Sequence, residues 1–185
     1  MPSAAMIVGW SHIPFGKLPD PDTESLIAQV AIPAIEHAGV ESSQIDSIHV
    51  GVMNNGFSRQ DFQAGLVALG DPALMHVPAT RHENACATGS AALHAAMNHI
   101  ESGQGKIALV IGVEKMTGVS SQEVGDVLLG ASYRNEELGP NGFPGVFAGI
   151  ASEYFERYGD RSEELAMIAA KNHANGVDNP WAHVR

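Results

Sequence analysis

Residues 84–116 read NACATGSAALHAAMNHIESGQGKIALVIGVEKM, and the fold class follows from that stretch. Ala87–Ser102 is predicted as a helix whose Ala-rich sequence lets it lie close to its neighbours, with Gly103 and Gly105 ending it. Lys106–Val113 is an unbroken apolar strand, the kind covered on both faces in a mainly parallel sheet. Upstream, Ala4–Trp10 (AAMIVGW) reads as a first buried strand. Ser11–Asp22, broken by three prolines and a glycine, reads as a loop. Asp22 or Thr23 is placed to cap a helix in which Leu26, Ile27, Val30, Ala31, Ala34, Ile35 and Ala38 share one face and Gly39 is the stop. Pro33 inside it predicts a kink or one unpaired carbonyl. Ser47–Val52 is a second strand and Arg59–Leu69 a second helix ended by Gly70. Met75–Thr80 is a third short strand, placed at an edge because Pro78 cannot donate a ladder bond. The order βαβαβαβ predicts a layered α/β fold.

Beyond Val113 the character changes. Glu114–Gly145 is rich in Gly and Pro and reads as a long functional loop region with a helical piece near Val124–Leu129. Two amphipathic helices follow, Val146–Tyr158 and Ser162–Asn175, the second with Ser162 and Glu164 placed to stabilise its start. Asn179-Pro180 then opens a turn.

The balance of charge narrows the function. Against 21 Asp and Glu stand 10 Lys and Arg, a net charge of −11, with no basic patch, so a nucleic acid held by phosphate contacts is excluded as a partner. No apolar run reaches the ~18 residues of a membrane helix, so no membrane partner is expected. The N-terminus has no basic stretch ahead of its apolar residues, so it reads as a strand and not a signal peptide. One Cys forbids an internal disulfide and fits a cytoplasmic setting.

That residue, Cys86, is the first chemical candidate. It lies between a strand and a helix start, where backbone N–H groups and the helix dipole stabilise negative charge and favour a thiolate nucleophile. The same N–H groups suit a developing oxyanion. The competing reading is a buried structural Cys. The nine histidines contain no HExxH and no Cys/His pair at zinc spacing, so no metal site is expected. His94 and His99 follow Cys86 on its helix and read first as core or surface filling; His173 reads as a cation near a helix end. None is an evident general base. No GxGxxG is present and a dinucleotide cofactor is not expected.

These residues resemble the nucleophilic-cysteine segment of thiolases, in which Cys-x-[Ser/Thr]-Gly-[Ser/Gly] opens a buried helix and is followed by a strand ending Gly-[Val/Gly]-Glu-x-Met. Cys86, Thr88, Gly89 and Ser90 match the first part, and Gly112, Val113, Glu114 and Met116 the second. Pro14-Phe15-Gly16-Lys17 is similar to the segment after the first thiolase strand. The form Cys-x-Thr-Gly-Ser with Glu-Lys-Met resembles that of archaeal acetyl-CoA acetyltransferases and sterol-carrier-type thiolases.

The resemblance implies a thiolase-like layered αβαβα fold, first half only, with a mixed, largely parallel sheet. Residues 1–116 would be an incomplete N-terminal domain and 117–185 a truncated loop domain inserted in it. It implies acyl transfer between CoA thioesters through a Cys86 acyl-enzyme, with acyl-CoA and CoA as substrates and no bound cofactor. Phe147-Ala148-Gly149-Ile150-Ala151-Ser152-Glu153 is similar to the family's His-Met-Gly-Ile-Thr-Ala-Glu stretch. By that match Phe147 and Ala148 line the acyl and pantetheine pocket, and Ala in place of Met puts acetoacetyl specificity in doubt.

Thiolases are about twice this long, and the His motifs and second Cys of their other half, together with the last strand of the first half, are not matched here. The implied partner is a complementary C-terminal half or a homo-oligomer. Two alternatives stand beside the acyltransferase: a non-catalytic interaction or scaffold subunit, and a thiolase-like lyase. Cys86 argues against the lyase, because those relatives do without the nucleophile.

Overall fold

The computed structural model describes residues 5–18, 22–137 and 141–184. Ala4, residues 19–21 of the expected first loop and residues 138–140 of the expected long loop lie outside them. The chain divides into two compact units. Residues up to Ile13 with Leu18–Gly118 form the first, and Pro14–Lys17 with the residues from Val119 form the second.

The first unit is a three-layer α/β arrangement. Helix α1 (Thr23–Ala38) begins at Asp22, whose Oδ1 accepts the Ser25 N–H at 2.8 Å, and ends at Gly39. It continues through Pro33; the carbonyl deprived of its partner belongs to Gln29, which is exposed. Strands β1 (Ser47–Gly51), β2 (Ala79–His82) and β3 (Ala108–Gly112) form a sheet in the order β2-β1-β3, all parallel. The period of two sorts the central strand. Ile48 and Val50, in register with Leu109 and Ile111, meet Ile27, Ala31 and Ile35 of α1 and Ala64 and Val67 of the 3-10 helix Gln63–Leu69. The opposite face, with His49 and Gly51, is covered by α2 (Thr88–Glu101), which buries Thr88, Ala92 and Ala96. Gly51 is where the approach is tightest, since a Cβ there would lie 3.0 Å from the Thr88 methyl carbon and 3.1 Å from its carbonyl oxygen.

Three expectations are corrected in this unit. Ala5–Trp10 forms no strand, and Met6 and Ile7 are 81% and 77% exposed. An apolar run becomes a strand only when a neighbour accepts its backbone bonds, and the described residues supply none. The segment instead lies along α1, with Gly9 tight against Ala34 and Ala38 and the Trp10 N–H donating to His37 Nδ1 at 3.3 Å. Arg59–Leu69 winds only over Gln63–Leu69, and as a 3-10 helix. The third strand starts at Ala79, not Met75: Pro78 has no N–H to give, although its carbonyl accepts from Ile48 N–H at 2.9 Å. It is an edge strand, as the proline requires.

The second unit is helical. Helix α3 (Ser121–Leu128) is started by reciprocal bonds between Ser120 and Glu123, within the region expected to be mostly loop. Helix α4 (Gly142–Tyr158) begins earlier than expected, at Gly142, and α5 (Ser162–Val177) follows. Asp160, not Ser162, supplies the acceptor at the start of α5, taking the Ser162 N–H at 2.9 Å, while Glu164 pairs with Arg161 at 3.0 Å. Phe15 N–H donates to the Trp181 carbonyl at 2.9 Å, which ties Pro14–Lys17 to this unit. Among the described residues no helix is long and apolar enough to cross a membrane.

Candidate active site

Cys86 sits in the 3-10 turn Ala85–Ala87 that joins β2 to α2. Several hydrogen bonds build the turn, among them that from the Thr88 N–H to the Ala85 carbonyl. Ala85 N–H donates to Glu83 Oε1 at 2.6 Å, and Ala87 N–H to the Asn84 carbonyl at 2.9 Å. The Thr88 hydroxyl accepts from Asn84 N–H at 2.8 Å and donates to the Ala85 carbonyl at 2.6 Å. Thus Thr88, 6% exposed and wedged on Gly51, is bonded to the residues on both sides of the Asn84–Ala85 link. Ala85 stands at φ 45°, a left-handed conformation that strains a residue with a Cβ.

The consequence is a Cys86 that is exposed, not packed away as a structural thiol. Helix α2 starts at Ala87 without a side-chain cap. The Thr88 N–H, first of the helix, is taken by the Ala85 carbonyl of the preceding turn, and no side chain caps the N–H groups that follow it. A thiolate exposed at the head of a helix suits attack on a carbonyl carbon, with the positive end of the helix dipole favouring the negative charge that develops.

The matched motif after β3 has a structural task that spacing did not reveal. Glu114 Oε2 accepts the Met53 N–H at 2.8 Å, joining the chain just past β1 to the chain just past β3. Burial raises its carboxyl above the usual range, against the opposing effects of the Met53 bond and Arg81. The Lys115 ammonium donates to the Leu18 carbonyl and, at 2.9 Å, to Thr117 Oγ1.

Phe147 and Ala148 belong to the second unit, on α4. Phe147, 58% exposed, lines an open hollow of about 570 Å³ with Ile150, Tyr154, Phe155 and Leu165, bounded by Arg161 and Glu164. Ala148 is exposed and is not part of the hollow's lining; its carbonyl accepts the Ser152 hydroxyl at 3.0 Å. His94 and His173 are exposed, whereas His99 turns toward His49. Sequence reading passed over His49 and His82, whose nitrogens lie 3.0 Å apart. Only strand register could have brought them together. No cluster of three metal-ligating side chains occurs among the described residues.

Residues 5–184 match the family model for the thiolase N-terminal domain. The chain is 34% identical over 177 residues to the acetyl-CoA acetyltransferase of Methanothermobacter thermautotrophicus, covering 95% of this chain and 46% of that one. It is 36% identical over 186 residues to the acetyl-CoA acetyltransferase of Methanocaldococcus jannaschii, with 95% and 45% covered. A solved acetyl-CoA acetyltransferase from Syntrophomonas wolfei superposes with a TM-score of 0.67 at 23% identity over 92% of this chain and 46% of that one, which shows the shared fold. The chain thus spans about half the length of the curated relatives it matches. From the Cys86 turn at the head of α2 to Glu114 and Met116 beyond β3, with the family match over nearly every residue, the chain belongs to the thiolase family.

Proposed function

We propose that this chain is the N-terminal portion of a thiolase-type acyltransferase in which Cys86 carries the acyl group. The thiolate sulfur attacks the thioester carbonyl of an acyl-CoA, and the oxygen gains negative charge beside the uncapped start of α2. Collapse of that intermediate leaves a sulfur–acyl bond on Cys86 and expels the CoA thiolate, which takes up a proton. A second thiol or an enolised acyl-CoA then removes the acyl group and restores Cys86. The observation that carries this reading is an exposed thiol held on a strained turn directly ahead of a helix that no side chain caps.

Phe147 and Ala148 are read as part of the surface that meets the acyl and pantetheine chain. Phe147 offers an aromatic wall to the hollow, and the neighbouring exposed Ala148, outside that lining, is assigned to the same surface by the match to the family's stretch. The proton transfers need a base, for which a complementary C-terminal half or a second copy is the proposed source. A working exposed thiol suits a reducing cytoplasmic compartment.

The test is complementation. This chain is mixed with a separately expressed C-terminal half of an acetyl-CoA acetyltransferase, and thiolysis of acetoacetyl-CoA is followed by thioester absorbance. Activity that needs both pieces and disappears in Cys86→Ser is expected. Assembly of the two pieces with no turnover would overturn the catalytic reading and leave a scaffold role.

A further inference from the structure

Three histidines that the proposed chemistry does not use meet on one face of the sheet. His49 is the middle residue of β1, His82 ends β2 and His99 lies in the last turn of α2. His49 Nδ1 and His82 Nε2 are 3.0 Å apart, and His49 Nε2 is 3.2 Å from Ser47 Oγ. The His49 and His82 rings stack with centroids 5.2 Å apart, and His99 meets His49 edge-on at 6.1 Å. His49 is buried, and the buried Nε2 of His99 has no hydrogen-bond partner. Strand alternation places Ser47 and His49 under α2, where a sheet covered by a helix would ordinarily present aliphatic side chains.

Proton counting shows what this arrangement tolerates. With the rings neutral, one N–H lies between His49 and His82, and the Ser47 hydroxyl completes the chain on the other side. One added proton preserves that bond. A second sets N–H against N–H across 3.0 Å and puts two like charges beneath a helix.

Little nearby offsets such charge. Asp46 lies beside His99, and its Oδ2 already accepts the backbone N–H groups of Lys106 and Ile107 at 2.6 and 2.9 Å. Arg81 of β2 is directed to the Val52 carbonyl at 3.3 Å. Strand β3 and the 3-10 helix Gln63–Leu69 carry no titratable residue, and His94 and Glu101 of α2 are exposed.

We propose that His49, His82 and His99 form a proton-operated latch: with the rings neutral α2 is seated on the sheet, and a second proton on the His49–His82 pair unseats it. Burial, and then the neighbouring His82 and His99, hold the His49 imidazole below its ordinary range. The unfolded chain therefore binds this proton more readily than the folded one. Stability is full above the unfolded value of about 6.5 and is lost as pH falls from there toward the folded value. The latch does not depend on Cys86 being a nucleophile, although the helix it releases begins immediately after the Cys86 turn.

The experiment is urea unfolding of the whole chain from pH 8 to pH 5.5, for wild type, the His49→Gln/His82→Gln double variant and the exposed control His94→Gln. On acidification the wild-type unfolding constant rises more steeply than that of the double variant, by up to about tenfold per pH unit for each excluded proton. His94→Gln keeps the wild-type slope. Equal slopes for wild type and the double variant would overturn the latch. Should the double variant fail to fold, imidazole titration by NMR in wild type decides: His49 titrating below about 6.5 supports the latch, and titration at or above it overturns the proposal.

Discussion

Thr88→Val removes one hydroxyl and keeps the branched shape that packs on Gly51. In the native turn that hydroxyl accepts from Asn84 N–H at 2.8 Å and donates to the Ala85 carbonyl at 2.6 Å. Without it a partly buried backbone donor has no acceptor, a loss of about 1–3 kcal/mol. Ala85 then loses a partner that holds it at φ 45°, a conformation carrying about 1–2 kcal/mol of strain for an L-residue. The turn is free to relax, and Cys86 relaxes with it. Thr88→Ser keeps both hydrogen bonds and forfeits one buried methyl, about 0.8 kcal/mol. The assays are urea unfolding and the rate at which iodoacetamide alkylates Cys86. Valine is expected to lower stability by about 1–3 kcal/mol and to change the alkylation rate severalfold, whereas serine keeps the wild-type rate. Ala85→Gly, which relieves the strain directly, should stabilise wild type more than it stabilises Thr88→Val, because two coupled neighbours do not add. If Thr88→Val unfolds and alkylates as wild type does, the hydroxyl bridge does not hold the turn.

Three further outcomes follow from packing and charge. Ile48→Ala, at a position 1% exposed in the core between β1 and α1, should cost about 2–5 kcal/mol in urea unfolding; a loss below about 1 kcal/mol would show that this core is not close-packed. The raised Glu114 carboxyl means the folded state holds its proton more tightly than the unfolded chain. Its contribution is therefore full below the usual carboxylate range and is lost as pH rises through the folded value. Glu114→Gln keeps an acceptor for Met53 N–H without the charge, so its urea midpoint should equal or exceed wild type at pH 7, with the gap closing at pH 4; a deficit at pH 7 that vanishes at pH 4 would reverse the sign. Gly9→Ala would put a Cβ 2.6 Å from the Ala34 carbonyl oxygen and from Ala38 Cβ, so the 5–10 segment should lift from α1, read as faster exchange of the Trp10 amide; unchanged exchange would contradict that seat.

What the residues announced in advance are the elements whose signals are local. The Ala-rich helix after Cys86, its glycine stop and the apolar strand behind it lie where periodicity puts them, because α2 needs only small residues at i, i+4 to sit on the sheet. Asp22 and Gly39 likewise bound α1 by side-chain and backbone chemistry within one turn. Met6, Ile7 and Val8 misled because apolar residues propose a strand and a second strand must accept it. Gln63–Leu69 shows the same dependence, since its apolar spacing fits either a 3-10 or an α-helical winding.

At the candidate site, the thiol's position between strand and helix was legible in Asn84–Ser90. The left-handed Ala85 and the Thr88 bridge were not, because nothing in an alanine or a threonine specifies its dihedral angles. The contact of His49 with His82 joins residues 33 apart through parallel register, a long-range fact no local pattern carries.

The most direct test of the central claim is to incubate the chain with radiolabelled acetyl-CoA, alone and with a C-terminal thiolase half, then digest it at acidic pH and locate the label by peptide mass mapping. The account predicts an acetyl group on the peptide bearing Cys86, sensitive to hydroxylamine and absent from Cys86→Ser. Label that persists in Cys86→Ser, or no label in either mixture, would contradict it.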